Sequence, residues 1–241
     1  MKKTITVYCL PFAGGNKYSY REYIEKAPSF IRLVPLEYPG RGTRIKEPLV
    51  SDVHEIVDDL YQQISHQVNH VQYAIYGHSL GGLVAYLLTL KLRQRHHRAP
   101  LHLFITGTEG PSAPSRKEKK RYLMDKEEFV EEIRTLSGMP EEILQNDEML
   151  HFLEPILRND FRASEEYIYE DHAPLNIPIT VITGTEEDVE LPDVRLWQKE
   201  TTHKVDFKQL PGNHFFIFEH AHVILEIMAK KLYVHTKSYN L

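Results

Sequence analysis

The residues of this chain best arranged for chemistry lie in Gly77-His-Ser-Leu-Gly81. An apolar run, Tyr73 to Tyr76, breaks there and restarts from Leu80 to Gln94 with helical spacing. A strand turning sharply into a helix would present Ser79 on a strained corner, and the flanking glycines would keep side chains out of its way. The new helix would aim its unpaired N-terminal amides and the positive end of its dipole at the same point, favouring negative charge beside the serine. The chemistry implied is attack by an activated serine hydroxyl. Gly-x-Ser-x-Gly by itself also describes a glycine-rich turn; the strand before it and the helix after it favour the catalytic reading.

A serine hydroxyl needs a base to take its proton and a carboxylate to orient that base, here expected in the chain order serine, acid, histidine. The base candidate is His214 in Leu210-Pro-Gly-Asn-His-Phe-Phe216, after the last strand signal and before the C-terminal helical segment. Of the 14 histidines, His220, His222 and His235 sit within or beyond that segment, and His78, the variable residue of the elbow, should be held by packing. The acid should follow the apolar run Ile179 to Thr183, where Gly184-Thr-Glu-Glu-Asp-Val-Glu190 offers Glu186, Glu187 and Asp188. Asp188 is preferred over Glu187, because a short carboxylate is the usual partner, although this arrangement also accepts glutamate. An oxyanion would need two backbone donors. Leu80, directly after the serine, supplies one, and Pro11-Phe-Ala-Gly-Gly-Asn16 supplies the other, from Ala13 or, second, Phe12. Neither a dinucleotide fingerprint nor a Gly-Lys-Ser/Thr phosphate loop is present, and the chemistry needs no metal or redox cofactor.

Short β-branched and aromatic runs recur at 4–10, 31–38, 73–76, 101–106, 179–183 and 205–210, with amphipathic stretches such as 53–65 and 80–94 between them. Such alternation predicts an α/β fold with a mostly parallel sheet covered by helices on both faces, its ligands bound beyond the carboxyl ends of the strands. The stretch 110–173 carries no strand signal but helical patterns at 127–136, 140–145 and 148–159, and is expected to form a helical lid within one domain spanning 1–241. The 241 residues are 41% hydrophobic and 26% charged, enough for a substantial core, and the net charge of -5 argues against a generally basic, nucleic-acid-binding surface. The basic runs 91–98 and 116–121 read as solvated helix ends. Cys9 is the single cysteine, so no intrachain disulfide is possible, and no apolar run is long enough for a signal peptide or a membrane span. The expectation is a cytoplasmic monomer away from membranes.

The chain resembles the type II thioesterases of the α/β-hydrolase superfamily, the discrete editing enzymes that accompany nonribosomal peptide synthetases and polyketide synthases, and the related medium-chain fatty-acyl thioesterases. The resemblance rests on Leu10-Pro-Phe-Ala-Gly-Gly15, Tyr38-Pro-Gly-Arg-Gly-Thr-Arg44, Gly77-His-Ser-Leu-Gly-Gly82, Leu136-Ser-Gly-Met-Pro-Glu141, Leu157-Arg-Asn-Asp-Phe-Arg162, Glu166-Tyr-Ile-Tyr169 and Pro211-Gly-Asn-His-Phe-Phe216. It implies Ser79 as nucleophile, His214 as base, Ala13 and Leu80 as oxyanion amides, and hydrolysis of acyl groups carried on the phosphopantetheine arm of acyl- or peptidyl-carrier protein domains. Two positions depart from the family pattern. Where the family has Gly-x-Asp-Asp, this chain has Gly184-Thr-Glu-Glu-Asp188, so counting from the glycine selects Glu187 and insisting on aspartate selects Asp188; and Gly-Gly-His becomes Gly212-Asn-His214. Arg41 and Arg44 are candidates either for the arm's phosphate or for holding their own loop. A carboxylesterase or lipase acting on small esters would share the same triad, and a catalytically silent hydrolase-like domain that binds carriers is a third reading.

Overall fold

All six β-branched runs become strands in the computed structural model, which describes residues 4–236. They are β1 (Ile5–Leu10), β2 (Ile31–Pro35), β3 (Tyr73–His78), β4 (Leu103–Thr106), β5 (Ile179–Gly184) and β6 (Asp206–Leu210). Every pairing is parallel, in the order β2-β1-β3-β4-β5-β6. β2 stops at Pro35 rather than running on to Tyr38, the Leu36 amide giving the last bond to β1, at Cys9 O, 2.9 Å away. The chain starts beside the edge, steps out to β2, then crosses back over β1 to β3. The direction of winding therefore reverses between β1 and β3, and a crevice opens at their carboxyl ends, where ligands of such sheets bind. The register places Leu10 opposite Gly77, so the loop after β1 and the elbow after β3 leave the sheet at the same level.

Both faces of the sheet are covered, which is why strands such as β1 and β3 are buried along their whole length instead of alternating. On one face, α2 (Val53–Val68) and α3 (Leu80–Gln94) pack against Tyr8, Leu10, Tyr73 and Ile75. On the other, α1 (Arg21–Lys26) and the C-terminal helices α8 (Phe216–Glu219) and α9 (Ala221–Leu232) cover Val7, Cys9, Ala74 and Tyr76. The short α1 carries too little periodicity to be legible in the sequence. α2 starts where Asp52 caps the amides of His54 and Glu55. Nearly all of α3 is buried, because it lies between the sheet and the insertion.

The insertion between β4 and β5 holds α4 (Lys126–Leu136), α5 (Glu141–Leu144) and α6 (Asp147–Glu165), and α7 (Leu191–Arg195) follows β5. Its helices share a small core of Phe129, Ile133, Leu144, Leu157 and Phe161, against which Ala13 of the β1 loop also packs. α6 continues six residues past the expected end at Asn159, and Asp160 in this last stretch is wholly buried against Arg41. Among the described residues no helix is long and apolar enough to cross a membrane.

Burial lowers the pKa of two histidines, His78 at the elbow and His102 in the sheet. His102 stacks on Phe104 at 4.2 Å and meets Thr180 Oγ1 at 2.8 Å, and burial pushes its pKa down to about 3. A histidine held neutral in the fold but able to protonate when unfolded stabilises the fold fully above its unfolded pKa, and that contribution is lost as pH falls from about 6.5 towards 3. In urea titrations between pH 6 and 4, His102→Phe is expected to flatten the loss of stability by about one proton, roughly 1.4 kcal/mol per pH unit. An unchanged slope would mean that His102 does not remain neutral.

Candidate active site

The strand-to-helix elbow is built as its glycines suggest. A Cβ on Gly77 would lie 2.0 Å from the Gly81 carbonyl oxygen, and one on Gly81 would lie 2.3 Å from that of Leu10, so side chains are excluded at both positions. Ser79 sits at φ 55°, ψ −121°, a conformation that costs a non-glycine residue about 1–3 kcal/mol and persists only where its surroundings impose it. Here the Ser79 amide donates to Thr106 O at 2.8 Å and its carbonyl accepts from Gly82 at 2.9 Å, fixing the corner from both sides.

His214 follows β6 in the turn Gly212-Asn213-His214, where Asn213 Oδ1 accepts the Phe215 amide at 2.9 Å and stabilises the turn with its own side chain. The ring's Nδ1 meets Glu187 Oε1 at 2.6 Å, and Glu187 Oε2 accepts the Gly184 amide at 2.6 Å. Glu187 therefore uses both oxygens on partners that fix its position, and its side chain is almost wholly shielded from solvent. Asp188, preferred on sequence grounds, is not on the histidine. Its side chain is 82% exposed and pairs with Lys119 at 2.6 Å, which holds its pKa below the ordinary aspartate value. Backbone pairing explains the outcome. Thr185 donates to Leu210 O and Glu186 to Gly212 O, strapping the acid loop to the histidine loop, and the side chain that turns inward from this strap is that of Glu187. Counting from Gly184 was the better guide than side-chain length. Glu186 is solvent-exposed, as expected of a loop carboxylate that holds nothing.

The oxyanion candidates converge as well. Ala13, Ser79, Leu80 and His214 line one cavity, and among the described residues neither the Ala13 nor the Leu80 amide donates to a protein atom. Phe12 stands one step further back, its ring edge-on to His78 and Phe215. His78 is fully buried, 4.7 Å from the His214 ring, with Nδ1 3.1 Å from Thr106 Oγ1. Burial first, and then the charge His214 would carry, push the His78 pKa well down, so it remains a neutral packing partner. Gly107 escaped the sequence reading. At φ +62°, a Cβ there would lie 2.3 Å from the His78 ring and 3.0 Å from Glu187 Oε1, so the site closes only around a glycine. Only its position directly after a strand hinted at this.

Arg41 and Arg44 both prove to be held within the protein. Arg44 bridges Glu47 and Asp59, while Arg41 pairs with Asp160. Two compartments meet at Ser79 and His214. One, of about 240 Å³, is polar and lined by Glu109, Arg116, Lys119, Arg121 and Glu165. The other, of about 80 Å³, is apolar and lies under the insertion between Ile133, Leu136, Met139, Leu153 and Phe215.

A parallel sheet with a serine elbow after β3, an acid loop after β5, a histidine loop after β6 and a helical insertion between β4 and β5 defines the α/β-hydrolase class. Within it, the chain belongs to the thioesterase family, whose domain profile matches residues 5–232. The gramicidin S biosynthesis protein GrsT of Aneurinibacillus migulanus is 32% identical over 229 residues, covering 95% of this chain and 89% of that protein. The thioesterase PikA5 of Streptomyces venezuelae is 31% identical, covering 95% and 82%. The crystal structure of ClbQ from the colibactin NRPS/PKS pathway superposes with a TM-score of 0.90 at 33% identity, covering 96% of this chain and 98% of that one. Thioester hydrolysis is accordingly the reaction class of this enzyme.

The contrast between the two adjacent carboxylates is directly testable. Glu187→Gln is expected to lower kcat by about 10⁴, the scale of losing the orienting acid of a serine triad. Asp188→Asn should change kcat less than about threefold, since exposed ion pairs contribute little. Steady-state kinetics of both variants on one acyl thioester checks this, and the reverse ranking would restore Asp188.

Proposed function

We propose that this chain is a discrete editing thioesterase that hydrolyses acyl groups from the phosphopantetheine arm of carrier-protein domains, using Ser79, His214 and Glu187. The observation that carries the reading is the His214–Glu187 pair beside a strained serine elbow whose neighbouring Ala13 and Leu80 amides are unspent. In this mechanism His214 Nε2 takes the Ser79 proton as Oγ attacks the thioester carbonyl. Glu187 stabilises the charged ring from Nδ1, and the tetrahedral oxyanion rests on the two amides. The pantetheine thiol leaves with the proton from His214, and the same groups then activate water to release a free acid and regenerate Ser79. Carrier-bound substrate is supported by relatives from gramicidin S and colibactin biosynthesis. A cytoplasmic location is part of the same reading, in keeping with the single free, buried Cys9.

The two compartments suggest how substrate is divided: the arm in the polar one, the acyl group in the apolar one. A volume near 80 Å³ is smaller than the ~150 Å³ cavity that accommodates benzene, which favours acyl groups of a few carbons. Each methylene that finds room should raise kcat/KM about fourfold, from ~0.8 kcal/mol of burial, until the cavity is full.

Acetyl, butyryl and decanoyl groups on carrier protein, on coenzyme A and as aryl esters make the deciding panel. The carrier-bound short acyl groups should be hydrolysed best, and Ser79→Ala should lose activity on the order of 10⁶ in kcat while keeping its fold. Leu153→Trp, which fills the apolar compartment, should cut butyryl turnover at least tenfold and leave acetyl within about threefold. Preference for aryl esters over every thioester would favour a carboxylesterase instead, and full activity in Ser79→Ala would end the serine mechanism.

A further inference from the structure

Asp160 has no exposed surface, yet it carries three hydrogen bonds from two distant parts of the chain. Oδ1 accepts Arg41 Nη2 at 2.6 Å, and Oδ2 accepts both Arg41 Nη1 at 2.5 Å and the backbone amide of Gly14 at 2.7 Å. Arg41 is itself only 3% exposed, lies 5.1 Å over the Tyr38 ring and reaches Gly15 O at 3.4 Å. Ion pairs of this kind seldom raise stability above what an apolar pair of similar size provides, because desolvating two charges consumes their attraction. What an apolar pair could not provide is a charged acceptor for the Gly14 amide.

That amide occupies a decisive place. Gly15 donates to Phe12 O at 2.9 Å, closing a four-residue turn with Ala13 and Gly14 at its centre. Type I and type II turns share this bond and differ by a flip of the central peptide, here Ala13–Gly14. Gly14 at φ +76° is in the type II form. Since a peptide unit is planar, capturing the Gly14 N–H fixes the Ala13 carbonyl as well and keeps the turn in the type II form, while the Ala13 N–H belongs to the preceding Phe12–Ala13 peptide, whose carbonyl accepts the Gly15 amide. Neighbouring groups are tied too: Tyr20 OH donates to Leu10 O and Tyr38 OH to Pro11 O, whereas the Ala13 amide has no protein acceptor among the described residues.

We propose that Asp160, locked by Arg41, is a positioning residue that anchors the β1 loop at Gly14 and so holds in place the turn whose Phe12–Ala13 peptide presents the Ala13 amide to the reaction's oxyanion. The inference rests on the serine hydrolase reading given above. Because Asp160 belongs to α6, the oxyanion site is complete only while that helix is seated against the β1 loop. The insertion thus takes part in building the site as well as covering it.

The test removes the pair without stranding a charge. Asp160→Leu/Arg41→Met should fold and keep KM within about threefold. Its kcat should fall 10- to 100-fold, the scale of misplacing a catalytic group by about 1 Å, and affinity for a phosphonate mimic of the tetrahedral intermediate should fall by the same factor. Asp160→Asn/Arg41→Met, which returns a neutral oxygen acceptor for Gly14, should recover at least a third of the wild-type kcat. A folded Asp160→Leu/Arg41→Met enzyme with kcat within twofold of wild type overturns the proposal. Should the double variants not fold, amide exchange in the wild-type protein decides: Gly14 should exchange at least 10²-fold more slowly than Ala13, and equal rates refute the clamp. Ser79→Ala run alongside separates the two levels. If that variant stays active, the hydrolase reading fails; if it is inactive while the clamp variants are fully active, only the clamp does.

Discussion

The site depends on how closely the start of α3 presses against the ends of β1 and β3. Backbone meets backbone there, since a methyl group on Gly77 would sit 2.0 Å from the Gly81 carbonyl and one on Gly81 would sit 2.3 Å from that of Leu10. Chain can turn from strand to helix in so little space only by placing Ser79 in an unfavourable conformation. The cost is met by burial on every side: β3 is inside a six-stranded sheet, α3 is covered on nearly its whole circumference, and the Leu10–Gly77 register holds the β1 loop at the height of the serine. Looser packing at this junction would relax the serine and separate the Ala13 and Leu80 amides at once.

Around that junction two buried carboxylates have a donor on each oxygen. Glu187 divides its oxygens between His214 and the Gly184 amide, and Asp160 divides its own between Arg41 and Gly14. His78, the ring nearest His214, is kept neutral by its burial. The insertion adds the division of space. Its apolar side chains and the polar groups near Lys119 and Arg121 line separate compartments that meet at Ser79 and His214.

Much of this was legible in residue order. Six strands, the elbow, the histidine loop, the glycine loop after β1 and a strand-free helical stretch are all local patterns, set by side-chain periodicity and by the few residues that turns allow. What escaped was decided at long range. Glu187 and Asp188 are neighbours of equal charge, and two local rules, the count from Gly184 and side-chain length, point to different ones; Thr185 and Glu186 pair with the backbone of a loop some 25 residues on, and it is Glu187 that then meets His214. Arg41 read as a candidate phosphate ligand because its partner, Asp160, is 119 positions away on a helix whose end had been placed before it. Gly107 carried no signal beyond following a strand, because the rings and carboxylate it makes room for come from other loops. Sequence alone thus determined which candidate groups the chain offers, since the Ser79 elbow, the His214 loop and the β1 glycine loop are each specified by the few residues around them. Tertiary structure decided which carboxylate meets His214 and what ties the Gly14 amide, because those depend on contacts between segments that meet only after the sheet has ordered them.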